Sequence, residues 1–167
     1  MSLKINFLKN FNNEKNTNLV LFSNEKFSIN PLKKYLSNSE FSYINDLLRT
    51  SELKSNLFVY ELTSKKKIIL ISIKNNLKVS DIENLGAEFF GRINYGKKSE
   101  YKIFSDSIQS KYKNFLGHFL HGIKLKSYEF KKYKTKKDSR DISINIFGKK
   151  NIPSNQEKLK FKALEEG

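Results

Sequence analysis

Cysteine and tryptophan are both absent from this chain, and proline and glycine are scarce, with 2 and 7 residues among 167. Without cysteine, neither a disulfide framework nor a thiolate metal site can form, and nothing calls for an oxidising compartment. Long apolar runs are missing too. The amino-terminal stretch Met1-Ser2-Leu3-Lys4-Ile5-Asn6-Phe7 holds no continuous apolar segment of signal-peptide length. The strongest internal run, Ile68 to Ile73, is far short of the ~20 residues a membrane helix needs. The expectation is a cytoplasmic protein with no membrane contact. Acidic residues are outnumbered, 17 against 32 basic, for a formal charge of +15. Such a balance suits nucleic acid, anionic membranes or acidic partners. Arginine, however, is limited to Arg49, Arg92 and Arg140, and bidentate phosphate and base recognition relies on its guanidinium. The lysines are scattered, and abundant Asn and Ile point to a compositional bias that places Lys on solvated faces.

What is present is ample core material: 14 Phe, 8 Tyr and 38% apolar residues, in a length that suits one domain. Leu3 to Phe7 alternates as a strand, and Asn18 to Ser23 holds the run Leu19-Val20-Leu21-Phe22, a more buried strand. The polar stretch Asn10 to Asn18 reads as the connection between them. Ser37 and Glu40 form a capping box ahead of Phe41, Ile44, Leu47 and Leu48, a short helix. Asn56 to Leu62 and Lys67 to Ile73 read as a hairpin. A second capping box, Ser80 and Glu83, precedes Ile82, Leu85, Phe89, Phe90 and Ile93 at helical spacing, with Gly96 as the stop. Tyr101 to Ser105 is a strand, and Tyr112, Phe115, Leu116, Phe119, Leu120 and Ile123 mark a long helix. Asp141 to Phe147 alternates as a strand near a sheet edge. Pro153 and the Ser154 to Glu157 capping box open a last helix that carries no clear core-facing stripe and reads as a connector. Interspersed strands and helices imply an α/β fold, a mixed β-sheet flanked by helices.

Catalytic signatures are lacking. His118 and His121 share a helix flank, but no third metal ligand is near, and they read as helix-surface residues. Gly86, Gly91 and Gly96 lie inside or at the end of a helix, whereas a phosphate cradle needs its glycines before one. There is no Gly-x-Ser-x-Gly elbow and no Ser/His/Asp pattern. Glu165 and Glu166 read as solvated. No catalytic and no metal-binding residue is assigned. The richest segment runs from Lys124 to Arg140, where Lys126, Lys131, Lys132, Lys134, Lys136 and Lys137 interleave with Tyr128, Phe130 and Tyr133. Ion pairing and stacking make Lys126, Tyr128, Lys131, Lys132, Tyr133, Lys134, Lys136 and Lys137 candidate nucleic-acid contacts. The competing reading is a helix end followed by a solvated loop.

The tract Tyr128-Glu129-Phe130-Lys131-Lys132-Tyr133-Lys134-Thr135-Lys136-Lys137 resembles the one that closes the amino-terminal domain of leucyl aminopeptidases, the cytosol aminopeptidase family. The order around it is similar: the hairpin of Leu57 to Leu62 with Ile68 to Ile73, the Val79 to Tyr95 helix with Leu85-Gly86, and the Leu116 to Leu125 helix. The similarity is weak before Ser51. The resemblance implies a macro-domain-like three-layer architecture, with residues 1–153 as an accessory domain. Ile142 to Phe147 would be its last strand, and residues 154–167 the start of a linker helix toward a catalytic domain. It further implies that the full-length protein is a metallopeptidase, a hydrolase removing amino-terminal residues from peptides in the cytoplasm, commonly as a homo-hexamer. Two divalent metal ions, zinc or manganese, with their Lys, Asp and Glu ligands, would sit in the catalytic domain, leaving this chain without a cofactor. Two other readings stand beside it: a basic nucleic-acid-binding module, and a macro-like domain for an ADP-ribose type ligand. The latter lacks a strand-to-helix glycine loop and rests on fold analogy alone.

Overall fold

The computed structural model describes residues 2–9, 17–93, 98–133 and 140–166. The alternating Leu3, Ile5 and Phe7 form β1 (Ser2–Leu8), which is half-buried, and the apolar run after Asn18 forms β2 (Asn18–Asn24), which is buried on both faces. A 3-10 turn at Asn30–Tyr35 leads to α1 (Asn38–Thr50). There the Ser37 hydroxyl accepts from the Glu40 N–H and the Glu40 carboxylate accepts from the Ser37 N–H, the reciprocal cap expected from the sequence. The hairpin is present as β3 (Leu57–Glu61) antiparallel to β4 (Lys67–Ile73). Its turn is closed by Thr63 Oγ1, which accepts from the N–H groups of Lys65 and Lys66.

The next helix, α2 (Val79–Ile93), begins earlier than the Ser80 to Glu83 box implies. The side chain that reaches back is that of Asp81, which accepts from the Lys78 N–H at 2.9 Å. Ser80 is therefore already inside the first turn. β5 (Lys98–Phe104) follows, and then α3 (Phe115–Tyr133), which continues about ten residues past Ile123. Lysine is a good helix former, so the basic segment prolongs the helix instead of ending it. β6 (Asp141–Phe147) and α4 (Asn155–Glu166) complete the chain. α4 is capped by Ser154 and Glu157 as expected. The Gly96 stop, and the connection expected at residues 10–16, fall outside the described residues.

The six strands form one sheet in the order β1-β6-β5-β2-β4-β3, parallel except for β3. β6 thus lies one place in from the edge, and β1 is the edge strand. α2 and α3 cover one face, burying Phe89, Phe90, Phe119 and Ile123 against Val20, Phe22, Ile71, Ile103 and Ile144. On the other face, Ile44 and Leu48 of α1 and Leu32 cover Leu19, Leu21, Ile68 and Leu70. The result is a three-layer α/β fold. Toward β1, β6 and β5 that second face is polar except at the strand ends, where Phe104 and Phe147 join its core. Asn6 donates to Asn145 and Asn145 donates to Glu100 in a cross-strand ladder.

Two glycines set how closely α2 and α3 approach. A Cβ at Gly86 would stand 2.1 Å from the Phe119 carbonyl oxygen, and one at Gly122 would stand 2.0 Å from that of Glu83. The glycines that resembled fragments of a phosphate loop are thus divided in role: Gly86 lets two helix backbones touch, while Gly91 faces open space.

Candidate functional site

A concavity of about 490 Å³ lies between the edge strand β1, helix α3 and helix α4. β1 supplies Leu3, Ile5 and Phe7, the residues whose alternation marked it as a strand. α3 supplies Leu120, His121, Lys124, Ser127, Tyr128 and Lys131, which share one flank of the helix. α4 adds Lys158, Phe161 and Lys162. Among the described residues, four lysines line it: Lys124, Lys131, Lys158 and Lys162. Lys158 Nζ stands 3.8 Å from the Phe7 ring centre, and Lys131 Nζ 5.9 Å from that of Tyr128. Tyr128 itself is 52% exposed, an accessible aromatic face inside a cationic surface.

Of the eight basic-aromatic residues singled out in the sequence, Tyr128 and Lys131 line this groove. Lys126 pairs with Glu129 at 3.1 Å, one helical turn away, and Lys132 is exposed on α3 but does not line it. Tyr133 ends α3, and Lys134, Lys136 and Lys137 lie outside the described residues. Sequence reasoning missed the contributions of Phe7, Lys158, Phe161 and Lys162. They come from opposite ends of the chain, and only the alternation of β1 offered a local signal.

The two histidines are not simple surface residues. His121 is buried, His118 is partly buried, and both rings face Phe161, at 5.4 and 5.1 Å between centroids. Tyr112 closes on His118 from the other side at 5.8 Å. Burial pushes the His118 imidazole below its usual value, with His121 and Lys160 adding to the effect and Glu83 and Glu157 opposing it. Its Nδ1 is buried with no hydrogen-bond partner among the described residues. No three His, Cys, Asp or Glu side chains come together as a metal site among the described residues. No helix among them is long and apolar enough to cross a membrane.

In open α/β sheets, ligands usually bind beyond the carboxyl ends of the strands. Here that position is occupied by the protein's own groups. The Asp106 carboxylate after β5 accepts from the N–H groups of Lys149 and Lys150, at 3.0 and 2.7 Å. Asn151 donates to the carbonyls of Ser105 and Ile108. Gly148 makes this turn with φ +139, and a Cβ there would meet Ser105 Oγ at 2.0 Å. An internal carboxylate thus satisfies two successive backbone donors at this end of the sheet.

No protein-family model matches the sequence, and no curated protein sequence is similar to it. Solved structures do share the fold. A mutant of tomato leucine aminopeptidase superposes with a TM-score of 0.65 at 14% identity, over 98% of this chain and 36% of that one. The macrodomain of Thermus aquaticus DarG gives 0.52 at 12% identity, over 86% of this chain and 99% of that one. The cytosol aminopeptidase from Coxiella burnetii gives 0.51 at 10% identity, over 96% of this chain and 31% of that one. The chain thus spans about a third of each aminopeptidase. At these identities the likeness is one of fold, shared by an aminopeptidase region and a macrodomain.

Proposed function

We propose that this chain is the non-catalytic amino-terminal domain of a metal-dependent leucyl aminopeptidase. The observation that carries this reading is the superposition on the tomato enzyme, which runs through nearly the whole of this chain, α4 included, while covering only 36% of that enzyme. In this reading residues 1–153 are the accessory domain and residues 154–167 begin the linker to a catalytic domain. That second domain holds two divalent ions, zinc or manganese, which polarise the peptide carbonyl and activate water. The present domain contributes packing and assembly, toward a homo-hexamer acting on peptides in the cytoplasm. It takes no part in the bond cleavage.

Two measurements test this. The coding sequence is expected to continue in frame beyond Gly167 into a segment bearing Asp, Glu and Lys metal ligands, and the native protein should have a mass well above that of 167 residues. The purified 167-residue chain, supplied with zinc or manganese, should not hydrolyse leucyl p-nitroanilide. A stop codon after Gly167, or metal-dependent hydrolysis by the isolated chain, overturns the proposal.

A further inference from the structure

We propose that α4 is a hinged strap: rooted at residues 151–153 and latched by Phe161, it swings away from α3 when His118 takes up a proton. The inference does not depend on the aminopeptidase reading. It begins with how unequally the two parts of this segment are held. At the root, the Asn151 side chain donates to the carbonyls of Ser105 and Ile108, and the N–H groups of Lys149 and Lys150 donate to Asp106. Ile152 packs against the core and Pro153 is buried. Beyond Pro153 this anchoring stops. Ser154 and Glu157 cap the helix by bonding to each other. Among the described residues, no hydrogen bond or ion pair joins residues 155–164 to the rest of the protein. What holds them is the Phe161 ring on Gly117, His118 and His121, and Lys158 over the Phe7 ring. Proline fixes its own φ but leaves ψ free, so the pivot lies between Pro153 and Ser154.

The latch responds to protons because of what surrounds His118. Its Nδ1 meets no hydrogen-bond partner among the described residues, and the rings of Phe161 and Tyr112 stand edge-on to it at 5.1 and 5.8 Å. A neutral imidazole carries one N–H and one bare nitrogen, whereas an imidazolium carries two N–H donors and a charge. In this seat the charged ring has a donor unmet and has to be hydrated, and Phe161 stands in the way of that water. The charged and titratable groups around it do not reverse this preference. Glu83 of α2 and Glu157 of α4 favour the imidazolium, while His121 of α3 and Lys160 of α4 oppose it. Burial is the largest influence and leaves the neutral form preferred. Release of the strap uncovers Gly117, Leu120 and His121 of α3 and Phe7 of β1, which line the concavity beside α4.

The chain lacks cysteine, so introduced cysteines can carry spin labels without a background. One pair, Asn84→Cys with Leu159→Cys, spans α2 to α4. A second, Asn84→Cys with Lys150→Cys, spans α2 to the root, and all three positions are exposed. Pulsed electron paramagnetic resonance on the whole chain reads both distances at about pH 8 and about pH 5.5. The first pair is expected to show a longer distance whose share grows at least about twofold at the lower pH, while the root pair stays the same. In His118→Phe and in His118→Gln, neither of which can take up a proton, that share should not grow, and circular dichroism verifies each fold. No lengthening on acidification overturns the proposal, as does lengthening that persists in both His118 variants. Equal lengthening of the root pair overturns it too, because the molecule is then opening as a whole.

Discussion

Helix α3 packs against both α2 and α4, and it meets them by different physics. Toward α2 it presents Gly122, and α2 returns Gly86, so that each helix comes within a Cβ's reach of the other's carbonyl oxygens. Ile82, Phe89, Phe90, Leu116, Phe119 and Ile123 fill the flanks of this crossing and are fully or almost fully buried. Toward α4, the same helix presents Gly117 and two histidines, and the visitor is a single ring, Phe161. The remaining large apolar residues of α4, Leu159 and Leu164, stay 67% and 59% exposed. The difference teaches how a helix becomes part of a core or remains an attachment to it. Backbone proximity and shared burial make α2 and α3 one unit, whereas α4 is attached by side chains, Phe161 on the two histidines and Lys158 on Phe7, with its cap.

The largest effect expected is at the tight crossing. Gly86→Ala gains about 1 kcal/mol of intrinsic helix preference, yet its new methyl would stand 2.1 Å from a backbone oxygen, which cannot move without separating the helices. Overpacking of this kind costs about 3 kcal/mol, so the substitution destabilises overall, and Gly122→Ala behaves likewise. Denaturant titration measures both. Unchanged midpoints would mean that the two helices are not in backbone contact. Next in size, Phe161→Ala should cost about 1 to 2 kcal/mol, because the ring is only partly buried. Its loss should appear first as faster amide exchange confined to α4. Exchange accelerated equally in α2 would show that α4 belongs to the core after all. Smaller still, and of opposite sign, Gly91→Ala lies on the same helix as Gly86 but meets nothing within 4 Å. It should stabilise by up to about 1 kcal/mol, which separates the propensity of glycine from its packing role.

The two regions also differ in how legible they were beforehand. The α2 and α3 stripes stood out because burial on one side imposes a helical period; β1 and β6 stood out by alternation, and β2 and β4 by unbroken apolar runs, because both of their faces are buried. The Ser37 and Ser154 caps were readable for the same local reason, since both partners lie within one turn. The cap of α2 was misplaced by two residues because Ser80 and Asp81 both suit a helix start, and the choice depended on which carboxylate could reach Lys78. The length of α3 was underestimated because its last turns are held by lysine's helix preference and carry no apolar stripe. The groove was not legible: it joins β1, α3 and α4, and the basic tract revealed only the α3 wall. Phe161, a lone aromatic without periodic companions, carried no signal that it would seat on two histidines. The mixed sheet flanked by helices, by contrast, followed from the interspersed strands and helices, even though β1 pairs with β6 near the other end of the chain.

The weaker contact should also be the pH-sensitive one. His118 lies under Phe161, and burial lowers its imidazole from the ordinary value of 6.5, an effect reinforced by His121 and Lys160 and only partly opposed by Glu83 and Glu157. A basic group whose folded value is depressed favours the neutral form when folded. Its contribution is therefore complete above 6.5, and it is lost as the pH falls through the folded value, because the unfolded imidazole takes up its proton first. Carboxylates titrate partly over the same acid range, so the informative quantity is a difference between two proteins. The fall in melting temperature between about pH 8 and about pH 5.5 should be larger for the natural sequence than for His118→Phe, which keeps an aromatic face toward Phe161 and cannot be protonated. Equal falls would mean that water reaches His118 and that α4 leaves the ring uncovered. A larger fall accompanied by early exchange in α4 alone would place the proton-sensitive step at the attachment and leave the glycine crossing outside it.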